Sequence, residues 1–248
     1  MMPHRSLSGY EVEWEGTLSR GPHRAVLFDL FDTLCRIDED LYHRGKEREA
    51  EILGVDAETF LTAWLDASDA AQIGELPDLE ARARHAASAL GVNPSADTLH
   101  TIVALERETL RSSASLYPDV LPTLEALRAI NGIGLALVSN ASSPAAMLCE
   151  SLGLAPYFDP VVFSFRIGVI KPEPGIYLEA CRLLDVAPEA CLFVGDGNGR
   201  ELDGAKWVGM EAVRIERPVS IGRYRKEESV EFDLSVDTLT RIPSLLRL

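Results

Sequence analysis

Five short runs of nearly continuous apolar residues punctuate the chain. They are Ala25–Phe28, closed by the acid Asp29, then Ile133–Val138, Val161–Phe165, Cys191–Val194 and Ala212–Ile215. Each is rich in Val, Leu and Ile and too short for a helix, the signature of a strand buried on both faces of a parallel sheet. Helical periodicity fills the gaps between them. Asp119–Asn131 places Val120, Leu121, Leu124, Leu127 and Ile130 on one face, and Pro174–Asp185 does the same with Ile176, Tyr177, Ala180, Leu183 and Leu184. Ser143 and Pro144 read as an N-cap and first helical residue leading to Met147, Leu148 and Leu152, and a further helix is expected from Arg200 to Gly209. Strand and helix alternating in this way predict an α/β core with a doubly wound parallel sheet.

One stretch breaks the alternation. From Ile37 to Ser115 only helical periodicity is present: Phe60, Trp64, Ala67 and Ala71 share a face, as do Leu79, Ala83, Ala86 and Leu90, and then Leu99, Ile102, Val103, Glu106 and Leu110. Turn residues at Gly74–Pro77 and Gly91–Pro94 separate these segments. So long a stretch is an inserted helical domain, residues 37–115, and not a loop. The core is then residues 25–36 and 116–248, and residues 1–24, polar and aperiodic, form a loose tail in which Tyr10 and Trp14 are candidates for docking.

Charge narrows the function classes. The 248 residues carry 24 Lys plus Arg against 39 Asp plus Glu, a formal net charge of -15. Such a field repels phosphate backbones and anionic lipid, so neither nucleic acid nor a membrane surface is the expected partner. No apolar run approaches the roughly 20 residues that span a bilayer. The N-terminal residues lack the apolar stretch of a signal peptide, which implies a cytoplasmic protein. The cysteines, Cys35, Cys149, Cys181 and Cys191, form no CxxC pair and sit in apolar segments, so they read as buried thiols and not a zinc site. The five histidines show no ligand spacing.

Four polar clusters close predicted elements of the core, at the sheet edge where open α/β folds bind ligands. The first is Phe28-Asp29-Leu30-Phe31-Asp32-Thr33-Leu34; the second is Ser139-Asn140; the third is Lys171-Pro172. In the fourth, Gly195-Asp196-Gly197-Asn198-Gly199-Arg200-Glu201, glycines let the backbone turn tightly while Asp196 and Glu201 stand five apart across a loop and a helix start. Alone, each has an ordinary structural reading: a turn-capping acid, a turn former, a solvated lysine, a glycine turn.

Taken in order, the set resembles the haloacid dehalogenase superfamily of aspartate-nucleophile hydrolases from Ala25 to Ile215. The resemblance implies a Rossmann-like core with the helical insert as a first-type cap, acting on a small-molecule substrate. Asp29 would be the nucleophile, forming a covalent aspartyl intermediate that water hydrolyses. Ser139 and the backbone N–H of Asn140 would hold a substrate oxygen, and Lys171 would offset negative charge. Asp29, the main-chain carbonyl of Phe31 and Asp196 would ligate Mg²⁺, with Glu201 acting through water; oxygen ligands with retained waters suit that ion.

The chain departs from the phosphatase pattern at Phe31, where those relatives place a second Asp as general acid and base. Asp32, one position on, is not given that role, because the shift aims its side chain elsewhere. Loss of general acid catalysis costs ~10²–10⁴-fold, least with good leaving groups. An aromatic at this position resembles the 2-haloacid dehalogenases, but those replace the first acid of the fourth cluster with Ser, and this chain keeps Asp196. A metal-dependent hydrolase of a small phosphorylated metabolite is therefore expected. A 2-haloacid dehalogenase, a phosphonate-cleaving enzyme using Lys46 (the insert's only lysine) as a Schiff base, and a binding module that has lost turnover remain the alternatives. Arg44 and Arg48, one helical turn apart, either face the cleft to meet a substrate anion or pair with Glu47, Glu49 and Glu51 on a solvated face. Asp203 reads as a surface residue of the last core helix.

Overall fold

The computed structural model describes residues 21–218 and 226–248, so Tyr10 and Trp14 lie outside the described residues. The chain opens with β1 (Ala25–Phe28) and β2 (Cys35–Ile37) and then runs through α1 (Glu39–Leu53), α2 (Ala57–Asp66), α3 (Ser68–Gln72), α4 (Leu79–Ala89) and α5 (Ala96–Ser113). It returns through β3 (Ala114–Leu116), α6 (Val120–Arg128), β4 (Gly134–Ser139), α7 (Ala145–Ser151), β5 (Val161–Phe163), α8 (Ser164–Ile167) and α9 (Pro174–Leu184). β6 (Cys191–Gly195), α10 (Glu201–Trp207), β7 (Glu211–Ile215), β8 (Leu234–Val236) and α11 (Ile242–Leu245) complete it.

Six strands form one parallel sheet in the order β5-β4-β1-β6-β7-β8. Side chains alternate between its faces, which explains why the strands read as unbroken apolar runs. Val26 and Phe28 of β1, Leu135 and Leu137 of β4, and Leu192 and Val194 of β6 enter one core; Ala25, Leu27, Ala136, Val138, Cys191 and Phe193 enter the other. Val120, Leu124 and Leu127 of α6 and Cys149 of α7 cover the first face. Ile176, Tyr177 and Ala180 of α9 and Leu202 and Ala205 of α10 cover the second.

The α/β doubly wound architecture inferred from sequence is the one observed, with differences at the element ends. β5 stops at Phe163, because the Ser164 hydroxyl accepts from the Ala141 N–H at 3.0 Å and donates to the Ala141 carbonyl at 3.2 Å, turning the chain into α8. α7 begins at Ala145, with Pro144 as its cap and not its first residue. The edge strand β8 and the antiparallel pair β2–β3, each three residues long, were not apparent in the hydrophobic pattern. Residues 23 and 24, assigned to the tail, are docked: His23 is buried and its N–H reaches the Arg247 carbonyl at 2.6 Å, while the Arg24 N–H reaches Ala190.

The five helices between β2 and β3 have their own core of Phe60, Trp64, Leu79, Ala83, Ala86, Leu99 and Ile102. Four start on a side-chain cap: Asp38, Asp56, Asp78 and Ser95 each accept a backbone N–H three residues on, worth about 1 kcal/mol apiece. α1 and α5 pack so closely that a Cβ at Gly45 would overlap the Thr109 side chain. No helix of the described residues is long and apolar enough to cross a membrane.

Candidate active site

The strand order reverses on either side of β1, and an open α/β sheet leaves a crevice at such a point. Register places the ends of β4, β1 and β6 level, with Phe28 beside Leu137 and Val194. Asp29 therefore leaves the central strand level with Val138 and Gly195, one residue before Ser139 and Asp196, its N–H bonded to the Val194 carbonyl at 2.9 Å. Four side chains far apart in sequence converge there. Lys171 Nζ donates to Asp29 Oδ1 at 2.5 Å and also to Glu201 Oε2. Carboxylate oxygens of Asp29, Asp196 and Glu201 all lie within 4.8 Å of one another, and all three residues are buried.

The local backbone explains how these groups are held. Gly195 has no room for a side chain, since a Cβ would meet Glu201 Cδ at 2.7 Å. Gly197, at φ 95°, donates its N–H to Glu201 Oε1 at 3.0 Å, and the Asn198 N–H reaches Asp196 Oδ1 at 3.1 Å. The Tyr177 hydroxyl donates to the Glu201 carbonyl at 2.7 Å, tying α9 to the start of α10. Asn140 accepts the Lys171 N–H at 2.7 Å and donates its amide to the Lys171 carbonyl at 3.0 Å. Its side chain thus fixes the lysine loop, a task its sequence position alone did not reveal. Ser139, at the end of β4, is fully buried and does not itself border the cavity described below, and its Oγ has no hydrogen-bond partner among the described residues. Such an orphaned hydroxyl is costly unless something else satisfies it.

Electrostatics makes the cluster unfinished. Burial pushes the Asp29 carboxyl above its ordinary range; Lys171 opposes this and Asp196 adds to it. Glu201 is raised well above the usual carboxylate value by burial and by Asp29, against Lys171. For Lys171, burial works downward, but Asp29 and Glu201 outweigh it and raise the ammonium above the ordinary lysine value. Among the described residues, Lys171 is the buried ammonium bonded to two of these three acids, and their all-oxygen donor set is the kind that hard divalent cations such as Mg²⁺ prefer. The residues present fit such an ion.

Above them is a cavity of about 200 Å³ between the strand ends and the inserted helices. Phe31, Asp32 and Asn140 border it from the core; Tyr42, Ser68, Arg82 and Glu106 border it from the insert. Asp32 occupies a left-handed conformation, φ 57°, where glycine is the easier residue. Arg44 and Arg48 are exposed on α1, and neither borders the cavity. Arg82, on α4, stands there instead. Its signal was a charge on the stripe of Leu79, Ala83 and Ala86, and Lys46, Glu49 and Glu106 interrupt the buried faces of α1 and α5 in the same way. Lys46 is sealed between Glu49, at 3.0 Å, and Glu106, at 2.5 Å, with Trp64 beneath it, so it presents no free amine to the cavity. Asp203 is fully buried and not on the surface, because its carboxylate accepts the Val230 and Glu231 N–H groups and pairs with Arg200. The four cysteines are buried and unpaired by disulfides.

An acid just past the central strand, a lysine against it, an acid on the loop after β6 and another at the start of α10 thus meet at the crevice of an α/β fold. The chain belongs to the haloacid dehalogenase-like hydrolases, whose family model matches residues 23–209. It is 37% identical over 142 residues to a glyceraldehyde 3-phosphate phosphatase of Methanopyrus kandleri, covering 56% of this chain and 58% of that one. It is 36% identical over 109 residues to a phosphoglycolate phosphatase of Escherichia coli, covering 44% and 42%. The chain thus spans about half the length of these curated relatives. Among solved structures, a HAD phosphatase from Thermococcus onnurineus superposes with TM-score 0.59 at 27% identity, over 90% of this chain and 97% of that one. An L-2-haloacid dehalogenase from Xanthobacter autotrophicus gives 0.63 at 24%, over 90% and 98%, which shows the shared fold.

Proposed function

We propose that the protein is a Mg²⁺-dependent phosphohydrolase of a small phosphorylated metabolite, working through an aspartyl-phosphate on Asp29. The observation that carries this is the trio of Asp29, Asp196 and Glu201, with carboxylate oxygens within 4.8 Å and Lys171 as the buried cation among them. Asp29, the Phe31 carbonyl and Asp196 would hold the ion. Glu201, with both oxygens already hydrogen-bonded to Gly197 and Lys171, suits a ligand acting through water. A bound Mg²⁺ would supply charge neutralisation for the phosphoryl group and the nucleophile. Residues 37–115 form the cap, and the core spans 25–36 and 116–248.

The chain's own residues then divide the work. Asp29 Oδ attacks phosphorus, and the alcohol oxygen departs with the electrons of the P–O bond. Lys171 compensates charge on Asp29, keeping a carboxylate available despite burial. The Ser139 hydroxyl, now unpartnered, and the Asn140 N–H would receive a phosphoryl oxygen. Phe31 offers no proton to the leaving group, so esters of acidic alcohols should be favoured.

Phe31 on the cavity wall also supports carbon–halogen chemistry as a second reading. One experiment separates them: release of phosphate from an aryl phosphate with and without Mg²⁺, beside halide release from 2-chloropropionate. Phosphate release that chelation abolishes and that Asp29→Asn loses, in a variant with unchanged circular dichroism, is the expected result. Halide release that persists in chelator would establish the dehalogenase, and silence in both assays a binding module.

A further inference from the structure

The wall opposite the acids is also charged, and one of its charges has no counterpart. Arg82 is 7% exposed and borders the same cavity as Asp29 and Lys171. Its Nη2 donates to the Trp64 carbonyl at 2.8 Å and to Ser68 Oγ at 2.6 Å, and the guanidinium carbon lies 4.3 Å from the Trp64 ring centre. Among the described residues no carboxylate forms an ion pair with it, and its buried Nε–H meets no acceptor. The neighbouring Lys46 and Glu106 cancel each other. Glu49, its carboxyl lifted to about 8 by burial and Glu106 against the pull of Lys46, bonds that same lysine. A buried guanidinium with an unfilled donor is unfavourable by itself and becomes favourable when an anion completes it.

We propose that Arg82 receives a carboxylate on the substrate, so that the substrate class is a short phosphate ester bearing an acid group, one anion at Asp29 and Lys171 and the other at the cap. Ser68 and the Trp64 carbonyl position the guanidinium, and the Trp64 face supports it. The cavity, about 200 Å³, is below the ~300–1,000 Å³ of drug-sized sites, which keeps the two anionic ends close together. This inference rests on the phosphohydrolase reading and specifies what that site takes.

The test compares kcat/KM for 3-phosphoglycerate and for glycerol 3-phosphate, which differ by a carboxylate against a hydroxymethyl group. Wild type should prefer the acid roughly ten- to hundredfold, the range of a hydrogen bond to a charged group. Arg82→Gln should collapse that ratio, chiefly through KM, and Arg82→Lys should restore part of it. A structural role for Arg82 would lower both substrates alike and leave the ratio intact. Equal efficiencies in wild type, or an unchanged ratio in Arg82→Gln, overturn the proposal. An aryl phosphate assayed on the same preparation shows whether the phosphohydrolase reading stands independently. If no ester turns over, that reading fails, and calorimetric binding of 3-phosphoglycerate decides the Arg82 inference. Binding at least tenfold weaker in Arg82→Gln supports it, and equal or absent binding defeats it.

Discussion

Asp196→Asn is expected to act in opposite directions on the metal-free and the Mg²⁺-loaded protein. At 4.8 Å, the outer limit of the separation between their oxygens, and an effective dielectric of roughly 20, two ionised carboxylates repel by about 3.5 kcal/mol. Asp196 faces two such partners, Asp29 and Glu201. Lys171, bonded to both of these partners, offsets part of that repulsion, and burial still holds the Asp29 and Glu201 carboxyls above their ordinary range. The remainder makes Asp196→Asn stabilising in chelator by about 1–3 kcal/mol, or roughly 2–12 °C in Tm for a chain of this size. The asparagine can still accept the Asn198 N–H through its own Oδ1, so the loop keeps its turn.

Magnesium should reverse the order. At a hundred times its Kd the ion would stabilise wild type by about 2.7 kcal/mol, roughly 5–11 °C, and this shift should vanish in Asp196→Asn. Differential scanning calorimetry in chelator and in Mg²⁺ measures both. The pH dependence follows from the direction of the shifts. A carboxyl whose folded pKa is raised contributes stability fully present below its unfolded pKa and lost as pH rises through the folded one. Metal-free wild type should therefore lose ground to Asp196→Asn as pH climbs above about 4.5, where Glu201 ordinarily ionises. A variant less stable than wild type in chelator and still responsive to Mg²⁺ would refute the reasoning.

The sheet was legible because its central strands are buried on both faces, so β1, β4 and β6 leave an apolar run with no polar interruption. The three-residue strands left no such trace: β8 exposes Leu234 and β2 exposes Arg36, and their pairing is decided by neighbours distant in sequence. The acids and lysine of the site could be listed from the chain because each follows a recognisable element. What the chain could not show was the depth of their interaction, such as the shared bond from Lys171 to two carboxylates or the Asn140 clamp on the lysine loop. The cap illustrates the converse. Arg44 and Arg48 follow the first acidic cluster closely in sequence, yet a helical face is set by packing, and Gly45 against Thr109 turns both arginines to solvent. Arg82 was recoverable, since a cation on an apolar stripe is anomalous, but only the fold shows that the stripe ends at the cavity.

Two further substitutions probe the cap and the missing acid. Lys46→Ala strands Glu49 and Glu106 in the buried cap and should cost about 3–5 kcal/mol, read as a fall in urea midpoint; a loss below about 1 kcal/mol would show that the triad is not held by charge. Phe31→Asp tests whether proton supply limits the wild type. Phe31 borders the same cavity as Asp29, so a carboxylic acid at this position is expected to raise kcat toward alkyl phosphates by up to ~10²-fold, with little change for aryl phosphates. The comparison of the two leaving-group classes carries the test, because a general loosening of the site would alter both. An alkyl phosphate rate that stays flat in a folded, Mg²⁺-responsive variant would mean that the proton already has another donor, and Asp32, on the same wall, is the residue to change next.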